Sequence, residues 1–279
     1  MNFREEYRRL TALLESAGIP DAATDARLML EQVCGASFAN IISGVANVGD
    51  GYFEKLEEML SRRIAGEPLQ YIFGTWDFVG RTFEVGDGVL IPRPETEQLV
   101  DMVVEKLRGY DSPVVYDLCS GSGCIGLTIK AEVPSARVFL VEKSDKALSY
   151  LNRNRALLGL EKTTVAIQGD VLNVSSFSSL PVPDVIVSNP PYIETDVIPT
   201  LQREVRREPA MALDGGADGL DFYRVLCSDW FAKLNNGGFM ALESGENQPP
   251  VICTLFPETA KTQTANDFAG VERFVFAFK

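Results

Sequence analysis

Apolar positions recur at helical spacing through the first third of the chain. Phe3, Tyr7, Leu10, Leu14 and Ala17 form one stripe, which Gly18 and Pro20 end. A second segment opens at Asp21 and runs through Ala26, Leu28, Leu30 and Val33 to Gly35. A third opens near Asp50, carries Phe53, Leu56, Leu60 and Ile64, and stops at Gly66–Pro68. The interleaved Glu54, Glu57, Glu58, Arg62 and Arg63 read as a solvated face. From about Tyr71 to Leu90 the pattern changes to short aromatic and β-branched runs broken by glycines, which predicts a β-hairpin or extended connector. After Pro94 strands and helices alternate. Helices are expected over Glu95–Arg108, Ile125–Ala131, Lys146–Leu158 and Gly219–Leu234. Strands are expected over Val114–Leu118, Arg137–Glu142, Thr164–Gln168, Asp184–Ser188, Gly238–Glu243 and Arg273–Phe278. Such alternation predicts an α/β fold, a mostly parallel sheet covered by helices on both faces. Pro249-Pro250 should delay or shorten the helix that follows.

Composition narrows the chemistry. The 279 residues include no histidine, which removes Ser-His-Asp and Cys-His nucleophiles, His-ligated zinc and imidazole proton shuttles. With 26 Lys+Arg against 39 Asp+Glu, the net charge of −13 argues against broad nucleic-acid binding, which needs cations facing phosphates. Five scattered cysteines contain no CxxC pair, so neither a disulfide framework nor a zinc site is indicated. MNFREEYRRL lacks the apolar core of a signal peptide, and no apolar run is long enough to span a membrane. A cytoplasmic protein without a bound metal is expected.

Gly121-Ser122-Gly123-Cys124-Ile125-Gly126 spells G-x-G-x-x-G between a strand and a helix, where backbone N–H groups approach a ligand closely. Glu142 ends the next strand and is placed to accept the two hydroxyls of a ribose. Asp117 stands at the strand end, four residues before Gly121, a layout that resembles the adenosylmethionine turn of class I methyltransferases. In that fold the strand-end acid and the turn hold the methionine portion, and Gly169-Asp170 falls where an acid lies near the adenine amine. A nicotinamide cofactor fits this layout less well.

Asn189-Pro190-Pro191-Tyr192 follows the apolar strand Val185-Ile186-Val187. Its prolines fix the backbone and remove two donors, so the loop offers acceptors at a strand's C-terminal edge. The Asn189 side-chain oxygen and the Pro190 carbonyl suit the two hydrogens of a planar NH2 group, and Tyr192 suits a flat substrate. Holding both hydrogens turns the nitrogen lone pair toward a methyl donor, and such a transfer needs no imidazole.

Along nearly its whole length the chain resembles the release-factor glutamine methyltransferases, the PrmC/HemK family. The shared segments are Glu67-Pro68-Leu69-Gln70-Tyr71, Ile91 to Glu97, Asp117 to Ile125, Asn189 to Ile193, Ala212 to Gly216 and Asp218-Gly219-Leu220. Glu208-Pro209, Leu242-Glu243, Gly245, Gln248, Ala269-Gly270 and Arg273 also match. The resemblance implies a helical recognition domain over 1–70, a hairpin linker over 71–90 and a class I, Rossmann-like methyltransferase domain over 91–279. It implies methylation, by S-adenosyl-L-methionine, of the glutamine in the GGQ motif of class 1 peptide chain release factors, with S-adenosyl-L-homocysteine as product. Carried over by position, Cys119, Ser120, Gly121, Ser122, Gly123, Glu142 and Asn189 contact the cofactor, and Asp170 and Val171 surround its adenine. Asn189, Pro190, Pro191 and Tyr192 fall on the glutamine site. Arg93 and Glu97 either wall the pocket or form a buried ion pair. The family usually carries Gly-Thr where this chain has Cys119-Ser120.

Two other functions compete with this reading. A methyltransferase acting on an exocyclic base amine of DNA or RNA shares NPPY, but needs a basic groove. Its only compact basic cluster, Arg203 with Arg206 and Arg207, is interleaved with Glu204 and Glu208. A non-catalytic adenosine-binding module predicts a damaged acceptor loop, whereas NPPY is intact. The expected protein is therefore a monomer whose partner is a release factor rather than a membrane or a nucleic acid.

Overall fold

The stripes at helical spacing fold against one another in a computed structural model that describes residues 3–44 and 51–279. Residues group into two compact units, Met1–Gly74 with Arg203–Arg207, and Thr75–Gln202 with Glu208–Lys279.

In the first unit, helices α1 (Phe3–Ser16), α2 (Ala22–Cys34), α3 (Phe38–Ile42), α4 (Tyr52–Ile64) and α5 (Leu69–Phe73) surround a core of Leu10, Leu14, Ala26, Met29, Leu30, Ile41, Leu56 and Leu60. The expected opening of the third helical segment at Asp50 lies outside the described residues. Within α4 the expected Leu56 and Leu60 are buried, but the stripe starts one position earlier than expected: Tyr52 is buried and Phe53 is half exposed, beneath the Arg9 guanidinium. Arg63, expected on a solvated face, is instead buried. Its Nε donates to Asp25 Oδ2 at 2.6 Å and an Nη lies 3.3 Å from Glu204. A helical position fixes the face a residue occupies, but only a buried carboxylate partner makes that face tolerable for arginine. The basic cluster is similarly engaged. Arg203 donates to the Ile64 and Ala65 carbonyls at 3.1 and 2.8 Å, and Arg207 to Ala65 at 3.2 Å. These are orphan acceptors at the end of α4, which basic side chains commonly satisfy.

In the second unit, a hairpin of β1 (Thr75–Phe78) and β2 (Arg81–Glu84) leads to α6 (Pro94–Leu107). The aromatic run expected to be extended from Tyr71 is helical through Phe73, and the hairpin is confined to ten residues. There follow β3 (Val114–Leu118), α7 (Cys124–Glu132), β4 (Arg137–Glu142), α8 (Asp145–Leu157), β5 (Thr164–Gln168) and β6 (Val185–Ser188). The rest comprises α9 (Asp221–Val225), a π-helical turn (Leu226–Trp230), α10 (Phe231–Lys233), β7 (Phe239–Glu243), α11 (Pro249–Leu255), β8 (Lys261–Asn266) and β9 (Glu272–Phe278). Pro249 and Pro250 open α11 rather than delaying it, because the first helical turn needs no N–H donors. The long helix expected over Gly219–Leu234 runs from Asp221 to Lys233, its middle wound as a π-helical turn. β8 escaped the sequence reading because it is a polar edge strand, paired on one side only and largely exposed.

The sheet order is β5-β4-β3-β6-β7-β9-β8, parallel except for β9, which runs against both neighbours. Alternate side chains of the buried strands feed two apolar layers. Val115, Val138, Leu140 and Val185 pack with Leu99, Val103, Leu127 and Ile129 on one face. Tyr116, Phe139, Ile186 and Met240 pack with Tyr223, Trp230 and Ile252 on the other. The order reverses direction at β3 and β6, where Leu118 pairs with Ser188. The turn after β3 and the loop after β6 therefore leave the sheet side by side, at the edge where open α/β sheets bind ligands.

Candidate active site

The turn after β3 is held from three sides. Asp117 is fully buried, and its Oδ2 accepts the Gly126 N–H of α7 at 2.9 Å. A Cβ at Gly126 would lie 2.7 Å from Leu140 and 2.9 Å from Asp117, so this glycine lets the helix approach the strand. Ser120 donates its N–H to Val141 and its hydroxyl to the Asp117 carbonyl. Asn154 of α8 donates to the Ser122 carbonyl at 2.9 Å and exchanges two hydrogen bonds with Glu84 of the hairpin. Cys119 has φ of 61°, a left-handed conformation that costs a side chain about 1 kcal/mol and that glycine adopts freely. The residue that the family usually carries there thus matches the backbone, and the thiol is tolerated at some strain.

Glu142, at the end of β4, accepts the Gly121 N–H at 2.8 Å on one oxygen and the Ser144 N–H at 2.7 Å on the other. Burial raises its pKa, against those N–H donors, which favour the anion. Each oxygen keeps a lone pair for a further donor. Asp170 pairs with Lys143 at 2.8 Å. Burial raises the Asp170 pKa, but Lys143 and the Leu172 N–H outweigh it, and the carboxyl stays below its usual range.

A cleft of about 890 Å³, counting its open mouth, is lined by Cys119, Ser120, Gly121, Ser122, Glu142, Asp170, Val171 and Asn189 among others. Pro191 and Arg93 also line it. Asp117, Gly123, Pro190, Tyr192 and Glu97 are not on the wall. Asp117 stands behind the turn, and Gly123 begins α7. Tyr192 is partly buried, and burial pushes its phenol to about 12. The structure does not pair Arg93 with Glu97. Arg93 pairs with Glu208, whose other oxygen takes the Ile91 N–H at 3.0 Å, and Glu97 accepts the Val79 N–H at 2.9 Å.

The loop after β6 rests on backbone from the segment Leu213–Gly219. Ile193 donates to the Leu213 carbonyl at 2.9 Å and accepts from Gly215 at 2.8 Å. A Cβ at Gly215 would lie 2.8 Å from the Tyr192 Cα, and one at Gly219, where φ is 70°, 2.4 Å from the Tyr192 carbonyl oxygen. Gln248 donates to that same carbonyl at 3.0 Å while its own oxygen accepts from Gly245. These glycines and Gln248 were visible as matched positions, but their common task emerges only from the fold. Asn154 carried no signal that sequence reasoning could use, since it belongs to neither a glycine turn nor an acceptor loop, and Thr96 was visible only as one position of the matched run Ile91 to Glu97.

Two buried carboxyls, Asp117 behind the turn and Glu243 at the end of β7, are both raised to about 7, chiefly by burial. Asp117 Oδ1 and Glu243 Oε2 have no hydrogen-bond partner among the described residues. Both groups hold protons more tightly folded than unfolded. Their contribution to stability is complete below the ordinary carboxylate range and is lost as pH rises through about 7. The ligand-free protein is therefore expected to lose on the order of a few kcal/mol of stability between about pH 5 and 8. Denaturant titrations across that window measure the slope, and a rise in stability would contradict it.

Among the described residues, no helix is long and apolar enough to cross a membrane. Residues 5–74 match the family model of the PrmC N-terminal domain, and residues 95–216 match the methyltransferase small domain. A release factor glutamine methyltransferase of Moorella thermoacetica is 34% identical over 100% of this chain and 99% of its own length. One from Caulobacter vibrioides is 37% identical over 95% and 92%. Among solved structures, the T. thermophilus 16S rRNA N2 G1207 methyltransferase, in complex with AdoMet and guanosine, is similar in fold. It has a TM-score of 0.52 and 21% identity, covering 74% of this chain and 49% of that one.

Proposed function

The chain belongs to the release factor glutamine methyltransferase family, and from that premise we propose that it methylates the side-chain amide nitrogen of the glutamine in the GGQ motif of class 1 peptide chain release factors, in the cytoplasm, using S-adenosyl-L-methionine. One observation carries this reading: the turn after β3, Glu142, Asp170 and Asn189 border a single cleft. The residues fit the cofactor. Ser122 stands on the cleft wall with its buried hydroxyl unpartnered among the described residues, and Glu142 and Asp170 supply the carboxylates that a ribose and an adenine amine can engage.

When bound, the cofactor supplies a methyl group activated by a sulfonium and leaves as S-adenosyl-L-homocysteine. The chain's own work is positioning. An amide nitrogen is a weak nucleophile because its lone pair is delocalised. Asn189 Oδ1 and the Pro190 carbonyl accept its two hydrogens, which turns the lone pair toward the methyl carbon and favours the pyramidal nitrogen that develops. The methylated nitrogen is acidic enough to release its extra proton to water, so a chain without histidine can complete the reaction. A base-amine substrate is the weaker reading, because Arg203 and Arg207 are engaged on helix carbonyls and are not arrayed for phosphate.

Incubation with labelled adenosylmethionine, a purified class 1 release factor and, separately, total nucleic acid tests the proposal. Label is expected in the release-factor peptide that contains GGQ and is expected to vanish when that glutamine is replaced by alanine. Label confined to nucleic acid would falsify the proposal.

A further inference from the structure

A single apolar side chain on a surface is ordinary, so the way a loop holds it matters more than its exposure. Phe268 is 93% exposed, against 37 to 54% for the other exposed large apolar side chains among the described residues. It stands in the loop between β8 and β9, where every backbone N–H from Phe268 to Val271 is committed. Phe268 donates to Gln98 Oε1 of α6 at 2.8 Å. Ala269 and Val271 both donate to Asp267 Oδ1 at 2.9 Å, and Gly270 donates to the Asp267 carbonyl at 2.9 Å. Asp267 Oδ2 accepts Arg273 Nε at 2.9 Å. Gln98 and Asp267 are both buried, so the bonds that shape the loop are shielded from water and the ring is held outward.

The sheet decides where this ring stands. Glu243, which ends β7, pairs with Phe274 of β9, and Asn266 of β8 pairs with Glu272. Because β9 runs against β7, the β8–β9 loop emerges at the edge where β3 and β6 end, the edge that carries the cleft. Two hydrogen-bonded ties join it to the acceptor loop. Ser244 donates its N–H and its hydroxyl to the Arg273 carbonyl at 2.9 and 3.1 Å. The next residue, Gly245, donates to Gln248, which in turn donates to the Tyr192 carbonyl. On the other side, Gln98 lies two residues after Thr96, whose hydroxyl accepts from Asn189 Nδ2 at 3.1 Å. The aromatic tip is thereby fixed relative to Asn189, yet Phe268 does not line the cleft.

We propose that Phe268 is a docking anchor for the protein substrate, inserting into an apolar recess of the release factor beside the loop that carries the acceptor glutamine. The occupant follows from the position. The chain belongs to a family that methylates glutamine in proteins, so a folded protein comes to rest on the edge around Asn189 when its glutamine enters the cleft. An aromatic side chain on a loop already fixed by its own hydrogen bonds buries its ring on contact without the cost of ordering that loop. The inference rests on the glutamine-methylation reading for the identity of the partner, and deepens it with a contact outside the cleft. Such a contact acts on capture of the release factor and leaves the transfer step alone.

The test uses the full chain as wild type, Phe268→Ser, Phe268→Leu and Val182→Ser. Val182 is 54% exposed and precedes β6, at the opposite edge of the sheet, and serves as the control. With a purified class 1 release factor as substrate, Phe268→Ser is expected to raise KM about tenfold, with kcat and adenosylmethionine affinity within about twofold of wild type. Calorimetric titration with the release factor, in the presence of S-adenosyl-L-homocysteine, should show the same weakening of Kd. Phe268→Leu, which keeps an apolar tip, retains most of the affinity, and Val182→Ser behaves as wild type. Unchanged KM and Kd in Phe268→Ser, or an equal loss in Val182→Ser, overturns the proposal. So does a wild-type dimer that Phe268→Ser converts to a monomer without a change in release-factor affinity, since the ring then serves a second copy of the chain. If the wild type methylates no release factor, the functional reading fails. The titration still decides the anchor: weaker binding of the release factor to Phe268→Ser supports it, and equal or absent binding overturns it.

Discussion

Replacing Asn189 by alanine is expected to reduce methyl transfer about a hundredfold or more while adenosylmethionine still binds within a few-fold of its wild-type affinity. The side chain lies on the cleft wall at the end of β6, where the loop after it and the turn after β3 leave the sheet side by side. Under the proposed mechanism its oxygen takes one of the two hydrogens of the substrate amide. Without that acceptor the nitrogen lone pair stays conjugated and unaligned, a defect felt in the transition state far more than in binding. Under the same reading the cofactor is held mostly by the turn after β3 and by Glu142 and Asp170, which the substitution does not touch. Single-turnover rates with a release factor, together with calorimetric cofactor binding, separate the two effects. Near-normal turnover would remove Asn189 from the mechanism; a parallel collapse of cofactor binding would assign it to the cofactor instead.

Gly219→Ala is expected to be nearly as damaging, although Gly219 touches no ligand. The added methyl would sit 2.4 Å from the Tyr192 carbonyl oxygen and 2.7 Å from Gln248 Nε2, on a backbone whose φ of 70° already disfavours any side chain. Neither neighbour can yield cheaply, since Gln248 itself donates to the Tyr192 carbonyl. The strain of the left-handed residue costs about 1 kcal/mol, and relief of the overlap must move the acceptor loop. A shift of that loop by a fraction of an ångström is enough to misplace Asn189, with an expected loss of about 10²-fold in kcat. Comparison with Gly237→Ala is informative, because Gly237 has φ of 83° with open space around it. That variant should lose similar stability to backbone strain yet keep its transfer rate. Equal rates in the two variants would show that Gly219 serves only the turn.

Much of the fold was legible from periodicity. The boundaries of β3, β4 and β5 match the expected strands to the residue, because each is a short run rich in β-branched and apolar residues set between more polar or turn-forming stretches. The failures have specific causes. β8 has no apolar face to read, since it is an edge strand whose side chains meet solvent. The start of the α4 stripe was misplaced by one residue, at Phe53 instead of Tyr52, because Tyr52, with its amphipathic ring, was not counted as core. Arg63 was assigned to solvent because its partner, Asp25, is 38 residues away along the chain.

The site divides along the same line. By itself the sequence determined the acceptor loop, the glycine turn and the acids at the ends of β4 and β5, since each is a local pattern whose chemistry resides in neighbouring residues. It also excluded an imidazole and thereby favoured a reaction driven by positioning. Only the tertiary structure decided which of these groups share a cleft, and that Arg93 answers to Glu208 rather than to Glu97. Only it brought Asn189 within 3.1 Å of Thr96, 93 positions away along the chain (189 − 96). The reason is that adjacent strand ends in a parallel sheet come from distant stretches of chain. Each crossover helix puts dozens of residues between groups that stand a hydrogen bond apart.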